Sequence, residues 1–323
     1  MKTRLNIALV GCGKWGENIA RNLHQMGVLN CIYDLNQKLS EKVRQEYKLP
    51  ALELNDIFKD KNIKAIVIAS PAITHNNIAF EALNYNKDLF IEKPFCMSLH
   101  DAQKLSDLAK NSNKVLMVGH LLNYHNAFIK MKELIKNGKI GVPKNIRANR
   151  LALGAIRSEE SVIYDLSAHD ISMILSITEE LPIDVDVQSI HHHNNIGPDA
   201  VSVKLTFSKG VTALINSDWM CPYKEHKFSV IGTKGSLIFD DTKNWSEKLL
   251  YNPSFVTSKN VIVPSPFEKI KIQENEPLKS ELQEFIDCIY SRKSPLTDHK
   301  EAIKVQTVMD LIDKKILKNK ENL

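Results

Sequence analysis

Cysteine is sparse and unpatterned in this chain: Cys12, Cys31, Cys96, Cys221 and Cys288 are scattered over 323 residues. An odd number without a C-x-x-C argues against a disulfide framework and a structural zinc site, and suits a reducing compartment. Long apolar runs are missing too. Nothing approaches the ~18–20 residues that cross a bilayer, and the opening Met1-Lys2-Thr3-Arg4-Leu5 leads into an apolar run too short for a signal-peptide core. Concentrated positive charge is also absent. Lys+Arg number 43 against 38 Asp+Glu, a net +5, far from the basic patch of a nucleic-acid binder. There is no 20–50-residue repeat and no low-complexity tract. The expectation is a soluble, cytoplasmic, globular protein of about two domains, at ~100–200 residues each, with neither membrane nor nucleic acid as partner.

The short apolar runs Leu5–Val10, Cys31–Tyr33, Ala65–Ala69, Leu89–Ile91 and Val115–Val118 show no polar alternation, the pattern of strands buried on both faces. Helical patterns separate them: Trp15–Met26, Gln37–Tyr47, His75–Asn84 and Leu99–Ala109, the last opened by a capping-box-like Ser98-Leu99-His100-Asp101. Strand–helix alternation predicts an α/β fold, a doubly wound parallel Rossmann sheet over 1–121. Beyond it the pattern changes. A helix at Ala127–Lys136 stops at Asn137-Gly138, a strand at 145–153 precedes a long helix at 161–177, and alternating strands fill 184–263. Val201-Ser202-Val203-Lys204-Leu205-Thr206-Phe207 marks a half-exposed sheet. Two helices near 278–291 and 298–317 close the chain, and the residues after Ile316 read as a solvated tail. Residues 122–323 thus form an α+β domain on an open, mostly antiparallel sheet, expected to serve substrate binding and oligomerisation.

Gly11-Cys12-Gly13-Lys14-Trp15-Gly16 is G-x-G-x-x-G. Its weight comes from context: it follows the first strand, opens a helix, and precedes a strand ending in Asp34. The glycines permit the turn and a close approach of backbone to a pyrophosphate at the helix N-terminus. Asp34 would accept from an adenosine ribose and repel a 2′-phosphate, favouring NAD. Lys38 and Arg44 keep NADP open.

Ile91-Glu92-Lys93-Pro94 follows the fourth run, at the carboxyl edge where such sheets bind ligand. With the glycine turn, it makes the chain resemble the Gfo/Idh/MocA oxidoreductases. The resemblance extends through Ala69-Ser70-Pro71 and His75, Val118-Gly119-His120, and Asp165-Leu166-Ser167-Ala168-His169-Asp170. It implies that Ser70, Pro71, His75 and Glu92 help to hold the cofactor and that Lys93 touches both nicotinamide ribose and substrate, before a proline peptide that is often cis. It also implies that Asp165 and His169 complete the catalytic set. Trp15-Gly16, Tyr124-His125 and the D-L-x-x-H-D-I string are similar to a nucleotide-sugar branch serving cell-surface polysaccharide and lipopolysaccharide synthesis. That branch acts at C3 of a sugar such as UDP-N-acetylglucosamine or its uronate. Asn126 stands where the branch has proline, and Ser161-Val162 where many members have paired glycines. The rivals are a free polyol or monosaccharide dehydrogenase, a keto-sugar reductase, and an NAD-binding sensor without turnover.

The residues alone support part of this. At 100° per residue, Val162, Ile163, Leu166, Met173, Ile174 and Ile177 form a core arc on the 161–177 helix. Asp165, His169, Ser172 and Ser176 run along its edge, either a solvated face or the wall of a cleft. Asp170 falls inside the arc and calls for a buried partner. Imidazole is suited to remove a hydroxyl proton at neutral pH, a carboxylate one turn away can orient it, and Lys93 can share the relay or stabilise alkoxide charge. Tyr124 and Trp15 are candidates for lining the substrate and cofactor pockets or for simple packing. Arg147, Arg150 and Arg157 are three of only seven arginines; Arg150 is the candidate for a substrate diphosphate, against a plain surface role. His191-His192-His193, read on a strand, places at most two rings on one face without an acidic or cysteine partner, so no metal is expected. An exposed sheet face suggests a homodimer or homotetramer.

Overall fold

The computed structural model describes residues 5–154, 156–193, 197–257 and 259–321. The opening four residues and the end of the tail lie outside them. Two compact units are present, Met1–His120 with Leu278–Gln306, and Leu121–Pro277 with Thr307–Leu323. This corrects the expectation of one cut between 121 and 122: the chain returns to the first unit after completing most of the second.

The first unit alternates β1 (Ile7–Val10), α1 (Lys14–Gln25), β2 (Leu29–Tyr33), α2 (Gln37–Tyr47), α3 (Leu54–Lys59), β3 (Ala65–Ile68), α4 (His75–Asn84), β4 (Asp88–Glu92), α5 (Leu99–Ser112) and β5 (Leu116–Gly119). The strands lie in the order β2-β1-β3-β4-β5, all parallel. β1, β3, β4 and β5 are buried along their whole length, which is why their sequences are apolar apart from Asp88 and Glu92 at the two ends of β4. The order in which strands are added reverses between β1 and β3, so the loops leaving these two strands flank the crevice where such sheets take ligand. Ser98 caps α5: its Oγ accepts the Asp101 N–H at 3.1 Å and donates to the Asp101 carboxylate at 2.8 Å.

The second unit begins with α6 (Asn126–Lys136) and β6 (Pro143–Leu153), then a π-helical turn (Ile163–Ser167) running into α7 (Ala168–Thr178). The strands β7 (Asp184–Ile190), β8 (Ala200–Thr206), β9 (Thr212–Asp218), β10 (Met220–Gly232), β11 (Gly235–Asp240) and β12 (Leu249–Asn252) follow, with β13 (Phe255–Val256), β14 (Ile262–Val263) and β15 (Glu268–Lys269) beyond. The eight-stranded sheet has the order β15-β12-β11-β10-β6-β9-β8-β7. Only the β6–β9 pair in it is parallel. β8 alternates buried Val201, Val203 and Leu205 with exposed Ser202 and Lys204, so one face is core and the other polar. Phe128 of α6 meets Phe228 of β10 edge to face at 5.6 Å.

Two helices end the chain, α8 (Pro277–Ser291) and α9 (His299–Glu321); α9 therefore continues through the residues expected to be a loose tail. What returns α8 to the first unit is apolar and ionic. Phe285 packs on Phe90 of β4 with ring centroids 5.8 Å apart, and Arg292 reaches the buried Asp88 at 2.7 Å. Residues 297–298 also pair with β5, the Val118 N–H donating to the Thr297 carbonyl at 2.9 Å.

Candidate active site

In the first unit the glycine turn is shaped by contact. Gly11 has φ +103°, and a Cβ there would lie 2.4 Å from the Ala69 backbone; one on Gly16 would lie 2.1 Å from the Gly11 carbonyl oxygen. These two glycines bring β1, β3 and α1 together. Gly13 differs, since a Cβ there meets nothing within 4 Å: the space above it is open. Gly13 is also the N-cap of α1 and offers no side chain to the first-turn amides, which leaves them directed at a ligand anion. Asp34, after β2, accepts the Cys12 N–H at 2.6 Å and the Asn36 N–H at 2.7 Å, so the carboxylate is fixed beside the turn. Open space, uncapped amides and a carboxylate held at the β2 end fit a dinucleotide.

Lys93 follows β4 on a loop in which the Lys93–Pro94 peptide is cis. Glu92 is 9% exposed. It accepts the Trp15 indole N–H at 2.7 Å, and burial pushes its carboxyl up to about 7. Trp15 keeps 40% of its surface exposed. Ser70 is half-buried, its hydroxyl shared with Thr74 at 2.7 Å, while Pro71 is exposed. His75 corrects an expectation. It is 1% exposed, with Nδ1 2.8 Å from the Pro94 carbonyl oxygen and Nε2 2.9 Å from that of Ser70. Both ring nitrogens face carbonyl oxygens within the protein, and whichever carries the proton donates to its carbonyl, so His75 braces the Ser70 and Pro94 loops from the interior. Glu281 of α8, which no motif marked, is fully buried, and burial and the neighbouring Glu92 push its carboxyl well up.

In the second unit the expected helix at 161–177 is interrupted. The Ala168 N–H bonds to the Ile163 carbonyl, a five-residue step that breaks the 100° periodicity. Leu166 and Ile177, assigned to the core arc, are half-buried, while Tyr164 and Ser172 are buried. No residue from Ser161 to Thr178 is exposed, which rules out the solvated face. Asp165 lies in the π turn and His169 in the first turn of α7. Asp165 is 7% exposed; its Oδ2 accepts the Trp219 indole N–H at 3.0 Å and lies 3.5 Å from Arg157 Nε. Trp219 is not visible as a partner in the sequence because it lies 54 positions away, whereas Arg157 is only one loop upstream of the π turn. His169 is half-buried.

Arg150 is the second correction. Its Nε and one terminal nitrogen donate to the two carboxylate oxygens of Asp170 at 3.0 and 2.9 Å, both residues buried. Asp170 has the partner its place in the arc demanded, and the guanidinium expected at a diphosphate is committed to it. Arg157 keeps 52% of its side chain exposed. Tyr124 is buried in a short 3₁₀ turn, its carbonyl accepting from Asn275 at 2.9 Å. His125 caps α6 by accepting the Ala127 N–H at Nδ1, 3.1 Å away. Its ring stacks on Trp245 at 4.8 Å, and burial holds it down to about 4, the neutral form that capping requires. The three consecutive histidines lie just past β7 and are exposed. Asp199 accepts the backbone N–H groups of His192 and His193.

A glycine-turn dinucleotide site in one unit and a buried Asp with a helix-borne His in the other define an NAD-binding oxidoreductase. Residues 5–120 match the oxidoreductase family with an NAD-binding Rossmann fold, and residues 128–238 the GFO/IDH/MocA C-terminal domain. The chain belongs to the Gfo/Idh/MocA family, and its cofactor is NAD. It is 26% identical over 258 residues to a myo-inositol 2-dehydrogenase of Thermotoga maritima, covering 74% of this chain and 76% of that one. To a UDP-N-acetylglucosamine 3-dehydrogenase of Acidithiobacillus ferrooxidans it is 28% identical over 182 residues, 56% of each chain. The solved structure of that enzyme superposes with a TM-score of 0.84 at 20% identity, covering 96% and 97% of the two chains. An oxidoreductase from Agrobacterium radiobacter solved with NAD+ gives a TM-score of 0.83 at 17% identity, covering 97% and 96%.

Proposed function

We propose that the chain is a dehydrogenase acting on C3 of a nucleotide-linked sugar, of the kind of UDP-N-acetylglucosamine or its uronate. NAD supplies the hydride acceptor. Lys93, Asp165 and His169 handle the hydroxyl proton, which leaves oxygen as hydride leaves carbon. The reading rests on the Asp165 site: a buried carboxylate held by Trp219 beside a half-exposed Arg157. Within the second unit, an arginine that is half-exposed, with its guanidinium beside Glu160 and the proposed catalytic carboxylate, suits a substrate carrying phosphate. The similarity to the Acidithiobacillus enzyme supports the same reading. The buried Arg150–Asp170 pair and the inositol dehydrogenase relatives favour the second reading, a free polyol or monosaccharide as substrate.

Thermal unfolding with NAD and a panel of nucleotide sugars, free sugars and inositols separates the two. A nucleotide sugar should stabilise the chain and be turned over, with added pyrophosphate competing. Stabilisation and turnover only with free polyols would replace the first reading by the second. Binding of NAD without turnover of any panel member would favour the sensor. We further propose a homodimer or homotetramer through the polar sheet face, acting in the cytoplasm.

A further inference from the structure

Gly119 ends β5 directly beside Glu92, which ends β4. Nothing in its backbone calls for glycine: its φ lies outside the left-handed region, and within a strand glycine is less stable than alanine. The neighbouring side chain is what calls for it. A Cβ on Gly119 would lie 2.9 Å from Glu92 Oε2, 3.1 Å from its carboxyl carbon and 3.2 Å from Oε1. Gly11 and Gly16 let backbones approach each other, whereas the bare Cα of Gly119 makes room for a carboxyl. That carboxyl has two partners. Oε1 accepts the indole N–H of Trp15, the second residue of α1, at 2.7 Å, and Oε2 accepts the Lys93 backbone N–H at 3.3 Å. One carboxyl thus ties the helix that opens the phosphate-binding turn to the start of the Lys93 loop. β4 stands two strands from β1, on the side away from β2, so the indole reaches across the half of the crevice opposite Asp34. With the adenosine ribose at Asp34, the nicotinamide falls on the half where Trp15, 40% exposed, stands.

We propose that Gly119 is a positioning residue of the NAD site: the space left by its missing side chain seats the Glu92 carboxyl, which holds the Trp15 indole and the Lys93 backbone in place for the nicotinamide end of NAD. The three atoms nearest a methyl group at 119 all belong to the far end of the Glu92 side chain. That end can swing away by rotation about single bonds. A methyl group there therefore leaves the strand in place and displaces the carboxyl, releasing Trp15.

Two measurements on the full chain test this: calorimetric titration with NAD, and the emission of Trp15, taken in each background as the difference from the same chain with Trp15→Phe. Gly119→Ala should keep the wild-type circular dichroism and give Trp15 the emission it has in Glu92→Ala. It should also bind NAD about ten-fold or more weakly, the scale of one hydrogen bond to a charged group. In the double variant Gly119→Ala with Glu92→Ala, the added Cβ has no carboxyl to displace, so NAD affinity should match that of Glu92→Ala alone. Wild-type affinity or wild-type emission in Gly119→Ala would overturn the proposal. Losses that multiply in the double variant would overturn it too, because Gly119 would then act independently of Glu92. If Gly119→Ala did not fold, a folded double variant would uphold the conflict with Glu92 and an unfolded one would overturn it. No sugar enters either measurement, so the result stands apart from the identity of the substrate.

Discussion

Trp219, at the junction of β9 and β10, donates its indole N–H to Asp165 Oδ2 at 3.0 Å, and both side chains are buried. The bond ties the π turn that carries Asp165 to the floor of the sheet. A hydrogen bond to a charged, buried acceptor is worth about 1.5–3 kcal/mol. Trp219→Phe is therefore expected to slow turnover about ten-fold or more while leaving NAD affinity unchanged. Steady-state kinetics and a calorimetric NAD titration on the same preparation check both halves. Unchanged turnover on a true substrate would remove Asp165 from the relay.

Arg150 and Arg157 are expected to separate cleanly. Removing one member of a buried pair leaves the other charge uncompensated, at about 3–5 kcal/mol. Arg150→Met should thus lower the urea midpoint strongly. Arg157→Ala, with a half-exposed side chain, should leave the midpoint nearly unchanged but raise KM for a nucleotide sugar and not for a free polyol. Equal stability of the two variants would contradict the roles given to them.

For the cofactor, NAD should bind more tightly than NADP, because Asp34 is held beside the turn where a 2′-phosphate would meet its charge. Gly13→Val fills the open space above the turn and should abolish NAD binding with the fold intact. Calorimetry with both cofactors, and circular dichroism of the variant, provide the measurements. Tighter NADP binding would shift attention to Lys38 and Arg44.

The Trp15–Glu92 contact carries a pH signature. Burial raises the Glu92 carboxyl from its ordinary value near 4.5 to about 7. Between these values the folded chain holds a proton that the unfolded chain has lost. Glu92 therefore costs stability as pH rises through this window, and the cost is complete above it. Trp15 fluorescence should follow the ionisation with a midpoint near neutral pH. Glu92→Gln should abolish that titration and flatten the stability profile across the window; a titration unchanged in Glu92→Gln would assign it elsewhere.

Lys93→Met and His169→Ala should each reduce turnover by about 10²–10⁴-fold, the usual worth of a positioned acid–base group. If they serve one relay, the double variant loses far less than the product of the single effects. Asp165→Asn should be weak or inactive with the fold retained. His169→Ala turning over at the wild-type rate would leave the relay to Lys93.

Uniform apolar runs and the glycine turn made the first sheet legible, because a strand buried on both faces leaves no room for polar residues. The alternation in β8 served the second sheet in the same way. Asp170 was legible as a buried polar group, but its partner was not, since Arg150 comes from strand β6 rather than from the helix that carries Asp170. The π turn at 163–167 left no trace because a five-residue hydrogen-bond step uses the same residue types as an ordinary helix. His75 looked like a ligand of the cofactor because sequence shows a residue's neighbours along the chain and not the carbonyls around its ring.

The return of α8 to the first unit bears on how the protein is made. Asp88 meets Arg292 across 204 positions, and Phe90 meets Phe285. During ribosomal synthesis, β4 and β5 emerge long before the residues that cover them. The larger part of the second unit, Leu121–Pro277, has to be translated while that side of the nascent sheet is bare. A released fragment ending near residue 121 would keep the glycine turn but expose Phe90 and strand Asp88 without its cation. Chaperone binding to the stalled nascent chain should accordingly persist until residues beyond Arg292 have left the exit tunnel.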